Sequence, residues 1–136
     1  MAQVTIRTMY GANIGAQVSP PNGNSITSSS DYPTIDRLDA SLDTVIDPLI
    51  NVTLVGNSDE EVAVTLTLAN GTTDGFLKTI RCGNGVEWTI TPANMSDGAT
   101  IVIDASEGNG PGAVTLVWDA TLVEWDVVSL YNGVVP

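Results

Sequence analysis

The chain has no histidine, a single cysteine and only four basic residues among 136. Without histidine it lacks the commonest general base and metal ligand, so Ser28, Ser29 and Ser30 have no imidazole to activate them as nucleophiles. Cys82 has no second cysteine to pair with, which excludes a secreted disulfide scaffold. We predict that Cys82 is a small apolar strand residue. We also predict a protein that is not an enzyme and holds no cofactor or metal.

The basic residues Arg7, Arg37, Lys78 and Arg81 face 16 acidic ones, for a formal net charge of -12. Such a charge repels phosphate backbones and anionic membrane surfaces, so we expect neither nucleic acid nor membrane as a partner. It also keeps free copies soluble and apart, which suits a protein that waits unassembled at high concentration. An ordinary acidic surface is the alternative interpretation.

Long apolar runs are also missing, since no stretch of 18 apolar residues occurs. The N-terminal MAQVTIRTMYGANIG has neither a charged region nor an apolar core of the kind found in signal peptides. We therefore expect a chain that neither spans a membrane nor is exported by a cleaved signal. It would be made and used inside a cell, or assembled there into something that later leaves.

Residues 1–34 are rich in Gly, Asn, Ser and Pro after a short strand pattern in QVTIR. Such a segment contributes little core by itself. We predict an extended arm with scattered apolar anchors that contact a partner, and a set of surface loops is the alternative. The proposed anchors are Met9, Tyr10, Ile14 and Val18.

Residues 35–49, IDRLDASLDTVIDPL, have apolar residues three and four apart, as on one side of a helix. Thr34 is placed to cap its start and Pro48 to end it. A short helix packed on a sheet and a loop with strand fragments are the two expected outcomes. The four aspartates in this stretch are spread out rather than ordered as in a calcium loop, so we interpret them as a solvated side.

From Ile50 onward the hydrophobic period changes to two. Strand patterns occur in INVTLVG, EVAVTLTL, FLKTIRC, VEWTIT, ATIVID, AVTLVWD and LVEWDVVSL, separated by turns rich in Gly, Asn and Asp. This pattern predicts a mainly β protein, an antiparallel β-sandwich or barrel with an extended N-terminal arm and either one short helix or none. We divide the chain into residues 1–49, an arm and linker, and residues 50–136, an antiparallel β domain.

Segments such as TIVID and VTLVW carry apolar or threonine side chains on both sides. A monomeric sheet with one wet side should show more charge there. Two explanations fit. Either the second side is buried against other copies of the chain, or the domain is a two-sheet sandwich with a threonine-rich outer surface.

The C-terminal half resembles a group of known proteins. Its runs NGTTDGFLKTIRC, GATIVIDA and TLVWDATLVEWDVVS, with the Thr91–Asn94 element, are similar to the small β-rich modules of head decoration, cement and fibre proteins of tailed bacteriophages. The residues that carry the resemblance are Thr115, Leu116, Trp118, Asp119 and Trp125. The turn between the two tryptophans commonly contains glycine in those modules and here reads Ala-Thr-Leu-Val.

The resemblance implies a virion structural protein on the capsid surface, assembled in the host cytoplasm. Its implied role is that of a homotrimeric decoration or cement protein that stabilises the head by binding across subunits of the major capsid protein. The alternative is a receptor-binding or fibre-tip module that recognises a host glycan by stacking on tryptophan. The predicted interface residues are Met9, Tyr10, Ile14, Val18, Trp88, Trp118 and Trp125.

Two groups of carboxylates also need an interpretation. Asp59, Glu60 and Glu61 lie in a predicted turn, where a solvated run is expected in preference to a shared cation. Glu124 and Asp126 lie two residues apart on one side of the last strand, a separation of about 6 to 7 Å that also occurs in glycosidases. A glycosidase also needs a cleft lined by several aromatic residues, and only Trp118 and Trp125 are near these carboxylates in the sequence. We therefore predict no sugar cleavage.

Overall fold

The computed structural model describes residues 35–56, 63–106 and 108–136. Within these residues the fold is all β and contains no helix, so none is present that could cross a membrane. The strands are β1 Ile35–Asp39, β2 Val45–Ile46, β3 Val52–Gly56, β4 Val64–Leu68, β5 Leu77–Cys82, β6 Glu87–Pro92, β7 Ile101–Asp104, β8 Gly112–Asp119, β9 Glu124–Tyr131 and β10 Gly133–Val134.

The strands form two five-stranded sheets that face each other as a sandwich. Sheet A has the order β9-β8-β5-β3-β1, and sheet B has the order β10-β7-β6-β4-β2. From β1 to β6 the chain alternates between the sheets, so each full circuit of the chain adds one strand to each sheet. Because successive circuits of the chain run in the same direction, β1, β3 and β5 pair in parallel in sheet A, as do β2, β4 and β6 in sheet B.

The antiparallel prediction is therefore correct for only half of the pairings. The pairs β8/β9, β5/β8, β6/β7 and β7/β10 are antiparallel, and the four pairs among β1 to β6 are parallel. The hydrophobic alternation of a strand is the same in both arrangements, so it could not distinguish them. The sandwich is confirmed, and because each sheet keeps its own edges, the barrel alternative is wrong.

The helix considered for residues 35–49 is wrong, and strand fragments are present instead. Asp39, Asp43 and Asp47 each accept a hydrogen bond from the backbone N–H two residues further on, at 3.0, 3.0 and 2.9 Å. These turns divert the backbone from the helical path every four residues. The aspartates are thus turn formers, and β1 and β2 join the sheets before residue 50.

The core lies between the sheets and is formed by alternate strand residues, as the period-two pattern predicts. Leu66 and Leu68 of β4 and Trp88 and Ile90 of β6 point inward, and Thr65 of β4 points outward. The buried residue Cys82 completes the inward side of β5, and its burial raises the thiol pKa to about 12. The prediction of a structural strand cysteine is confirmed.

A charged residue, Lys78, also lies on the inward side of β5 and is fully buried. Its Nζ donates hydrogen bonds to the carbonyl oxygens of Asp47 and Ile50, at 2.9 and 2.6 Å, and to Thr53 Oγ1 at 2.6 Å. An ammonium group has three N–H bonds, so these acceptors use all of them. Lys78 therefore fastens the loop between β2 and β3 to the centre of sheet A.

Gly71 tests how tightly the core is packed. A Cβ atom at this position would lie 2.5, 2.7 and 2.9 Å from Cγ, Cδ2 and Cβ of Trp118. We expect Gly71→Ala to lower the free energy of unfolding by about 1 to 3 kcal/mol, as overpacking does in other cores. The measurement is urea unfolding followed by tryptophan emission.

The matched control for this substitution is Gly56→Ala, because a Cβ on Gly56 meets no atom within 4 Å. Its unfolding free energy should stay within about 0.5 kcal/mol of the wild-type value. Equal effects of the two alanines would show that contact with Trp118 is not the cause.

The buried amine gives a second prediction, on pH. Burial lowers the pKa of Lys78 to about 8 from 10.5, against the opposing effect of Asp47 and Asp36. Between these two values the unfolded chain binds more protons than the folded one, so stability should rise as the pH increases. We expect this rise in urea unfolding from pH 7.5 to 10, and we expect Lys78→Met to remove it.

Both chains in this comparison should carry Cys82→Ala. The raised pKa of the Cys82 thiol acts in the opposite direction above its ordinary value, because the unfolded thiol ionises first. Parallel pH curves for the two chains would contradict a lowered pKa at Lys78.

Candidate interaction surface

The predicted interface residues fall into two groups. Met9, Tyr10, Ile14 and Val18 lie outside the described residues, so their role stays a prediction. The three tryptophans all lie in the core of the β domain, where Trp88, Trp118 and Trp125 are 1%, 4% and 0% exposed.

The contacts of the indole rings explain their burial. Trp118 and Trp125 pack edge to face, with ring centroids 5.2 Å apart and an interplanar angle of 64°. Trp125 Nε1 donates to the carbonyl of Ala69 at 3.0 Å, and Trp88 Nε1 donates to the carbonyl of Gly83 at 2.9 Å. No ring presents an open side to which a sugar or another subunit could bind directly. The tryptophans fill the core of one chain.

The structure describes one of the two carboxylate groups considered in the sequence analysis. Asp59, Glu60 and Glu61 lie outside the described residues. Glu124 and Asp126 of β9 lie on the outer side of sheet A, in register with Asp119 and Val117 of β8. Within the described ranges, no three His, Cys, Asp or Glu residues are grouped so that they could hold a metal ion.

A shallow depression of about 450 Å³ lies beside β7 and β10 on sheet B. Its polar groups already bond within the chain: Asn132 Nδ2 donates to the carbonyls of Asn109 and Pro111, at 2.8 and 3.0 Å. Hydrogen bonds from Ser106 hold the pKa of Asp104 below its usual range. These contacts shape a loop and leave few groups to bind a ligand.

The outer side of sheet B is rich in threonine. Thr65 and Thr67 of β4 lie in register with Thr89 and Thr91 of β6, and all four project away from the core. Hydroxyl groups bond readily to water. This side of the sandwich therefore matches the second explanation offered by the sequence, a threonine-rich outer surface.

The outer side of sheet A, called the A face below, is different. One row of residues crosses all five of its strands in register: Tyr131, Ala113, Arg81, Leu54 and Arg37. The row contains the two arginines among the described residues.

The next row of the A face combines hydroxyl and aliphatic side chains. Ser129, Thr115, Thr79, Val52 and Ile35 form the second row. Thr79 and Thr115 share one hydrogen bond of 3.0 Å between their hydroxyl oxygens. Ile35 is 56% exposed although it is a large aliphatic residue.

The far end of the A face is acidic. Asp126 and Val117 share a row with Leu77, which is 53% exposed, and Glu124 and Asp119 follow one step further along the strands. Asp119 Oδ1 accepts the backbone N–H groups of Thr121 and Leu122 and so shapes the β8–β9 turn. The A face thus has aliphatic and hydroxyl side chains in its centre, Arg37 and Arg81 together with Asp39 toward one end, and carboxylates at the other end.

Sequence reasoning missed Arg37, Arg81 and Leu77 as surface residues of interest, although a signal was present. In the period-two pattern of FLKTIRC, Phe76, Ile80 and Cys82 fall on one side of the strand, which puts positions 77, 79 and 81 on the other side. The same spacing put Lys78 inward. The row that joins Arg81 to Arg37 had no such signal, because it depends on which strands are neighbours.

A scan against models of protein families finds none that matches this chain, and a search of curated proteins also finds no match.

The burial of the tryptophans gives a prediction that separates a core role from a sugar-stacking role. Trp125→Ala should lower the free energy of unfolding by about 3 to 5 kcal/mol, because it leaves a cavity in a packed core. Leu122→Ala is the control, since Leu122 is 64% exposed in the β8–β9 turn, and should change stability by about 0.5 kcal/mol or less. Chemical denaturation measures both. An unchanged stability of the Trp125 variant would contradict the core assignment.

Proposed function

We propose that this chain is a non-enzymatic structural protein of a virion, a capsid decoration or cement protein that self-associates and binds across subunits of the major capsid protein. The observation that carries the proposal is the A face, where the large hydrophobic residues Ile35, Leu77 and Tyr131 are 56%, 53% and 65% exposed on a strongly acidic chain. Exposed apolar patches of this kind typically mark protein interfaces. The resemblance of the C-terminal half to phage decoration and cement modules supports the same function.

In this proposal the two outer sides of the sandwich have different roles. The threonine-rich side of sheet B faces solvent, and the A face contacts protein. A net charge of -12 keeps free copies dispersed until they assemble. Residues 1–34 supply the contact with the capsid, and several copies joined through their A faces bind with an avidity that one copy lacks.

The glycan-binding alternative is not carried forward. It depended on tryptophans that form a stacking platform. The three indole rings are instead buried in the core, and the N–H groups of Trp88 and Trp125 donate to backbone carbonyls. A receptor-binding site would need another group of exposed aromatic residues.

The test of the proposal is quantitative mass spectrometry of gradient-purified particles from cells that express the protein. We expect hundreds of wild-type copies per particle, the number that a decoration protein needs to cover a head. Leu77→Lys should reduce that number at least tenfold, because it introduces a charge in the centre of the A face. Deletion of residues 1–34 should also release the protein from the particles while leaving its oligomeric state unchanged.

The matched control is Thr67→Lys, which places the same charge on the exposed outer side of sheet B. This variant should decorate particles like the wild type. A few copies per particle would indicate a fibre or tail component instead. A wild-type chain that is monomeric in solution and absent from particles would refute the proposal.

A further inference from the structure

Four of the charged groups of the A face, which also carries Asp39 and Asp119, form two pairs of like charge. Arg37 and Arg81 lie in one row with Leu54 between them, two strand spacings or about 10 Å apart. Glu124 and Asp126 lie on β9 two residues apart, or about 7 Å. The first pair lies across the strands, and the second lies along a strand at the opposite end of the face.

We propose that a second copy of this chain packs on the A face about a two-fold axis, so that Arg37 and Arg81 of each copy meet Glu124 and Asp126 of the other. The inference rests on the self-association part of the proposed function and names the surface and chemistry of that contact. Two-fold contacts use the same patch on both copies, so one arrangement forms both sets of pairs.

The lengths and directions of the two pairs determine how the copies can meet. The separations differ by only about 3 Å, which long arginine side chains can span. The arginine pair runs across the strands of one copy, and the Glu124–Asp126 pair runs along a strand of the other. When the first pair lies on the second, the strands of the two copies cross at about 90°. That angle is one of the two preferred arrangements of packed sheets.

The same placement brings apolar groups together in the middle. With strands about 4.8 Å apart and residues about 3.4 Å apart along them, the axis passes close to Thr115 and Leu77. Leu77 of one copy then faces Leu77 of the other, and Val52 faces Val117. Five strands make a face about 24 Å wide and 20 Å high, so two copies cover about 1,000 Å² in projection, the lower limit of a specific interface.

Charge complementarity argues for a second copy and against an unrelated acidic partner. An acidic surface would satisfy Arg37 and Arg81 but would repel Glu124 and Asp126 on the same face. The A face carries both signs, and its arginine pair and the Glu124–Asp126 pair differ in length by only about 3 Å, so these two pairs complement each other between copies. Two copies that meet in this way neutralise part of a charge that otherwise keeps them apart.

Charge reversal tests the pairing. The full chain is prepared as wild type, Arg81→Glu, Asp126→Arg and the double variant, and sedimentation equilibrium gives the mass of each in dilute buffer. We expect wild-type dimers, at least tenfold weaker association for each single variant, and recovery in the double variant, in which attraction is restored with the signs exchanged. An equimolar mixture of the single variants should also recover, because each mixed pair has two attractive contacts.

Control measurements keep the result interpretable. Near-ultraviolet circular dichroism and thermal unfolding should show that both single variants are folded, since Arg81 is exposed and Asp126 is only partly buried. If either single variant is unfolded, Arg81→Gln and Asp126→Asn take its place, and each should weaken association because it removes one partner of each pair. Thr67→Lys, on the other sheet, should leave the dimer intact.

Several outcomes would overturn the inference. Single variants that associate like the wild type, or a double variant that stays monomeric, would show that these residues do not pair. A trimer restored by the double variant but not by the mixture would exclude the two-fold axis, because a ring of three copies of two kinds always contains one repulsive contact. That result would leave the proposed decoration function standing.

A wild-type chain that remains monomeric, but loses particle binding on Arg81→Glu, would assign the A face to an acidic partner and would also overturn the inference. Failure of the proposed function has a different signature: wild-type dimers that respond to charge reversal as expected but are absent from particles. The two failures are therefore distinguishable.

Discussion

Every strand of this domain has to bury one side against the facing sheet, and the rest of the structure follows from that requirement. The inward positions are filled by aliphatic residues such as Leu66, Ile80 and Ile103 and by three tryptophans. Because the chain alternates between sheets from β1 to β6, consecutive strands in this part contribute to opposite sides of the core. Burial of this apolar surface is the main favourable contribution to folding.

Polar groups enter this core only where their bonds are satisfied. The Lys78 ammonium group gains three acceptors in exchange for water, two of them backbone carbonyls of the loop that precedes β3. An unpaired charge in the same place would be very costly. The side chains of Asp39, Asp43 and Asp47 satisfy the backbone of neighbouring turns, so the irregular segment before β3 is held by its own aspartates.

The functional difference between the two outer sides follows from their side chains. The outer side of sheet B is rich in threonine and also exposes Val45 and Val134, whereas the A face combines Ile35, Leu77 and other apolar residues with charges of both signs toward its ends. The burial of the tryptophans moves the expected interface away from the residues that first suggested it. Self-association through a sheet surface remains the proposed function, and its proposed location is the A face rather than an aromatic cluster.

The sequence alone determined which residues of β4 to β8 point inward, where most turns lie and which catalytic groups the chain lacks, because alternation, turn chemistry and composition are local properties. It did not determine the path of the chain. Residues 35–49 fit a helical period as well as short strands, and only the side-chain bonds of the aspartates decided between them. Parallel pairing, the Trp118–Trp125 contact and the row from Arg37 to Arg81 were decided by the tertiary structure, since each depends on which distant strands become neighbours.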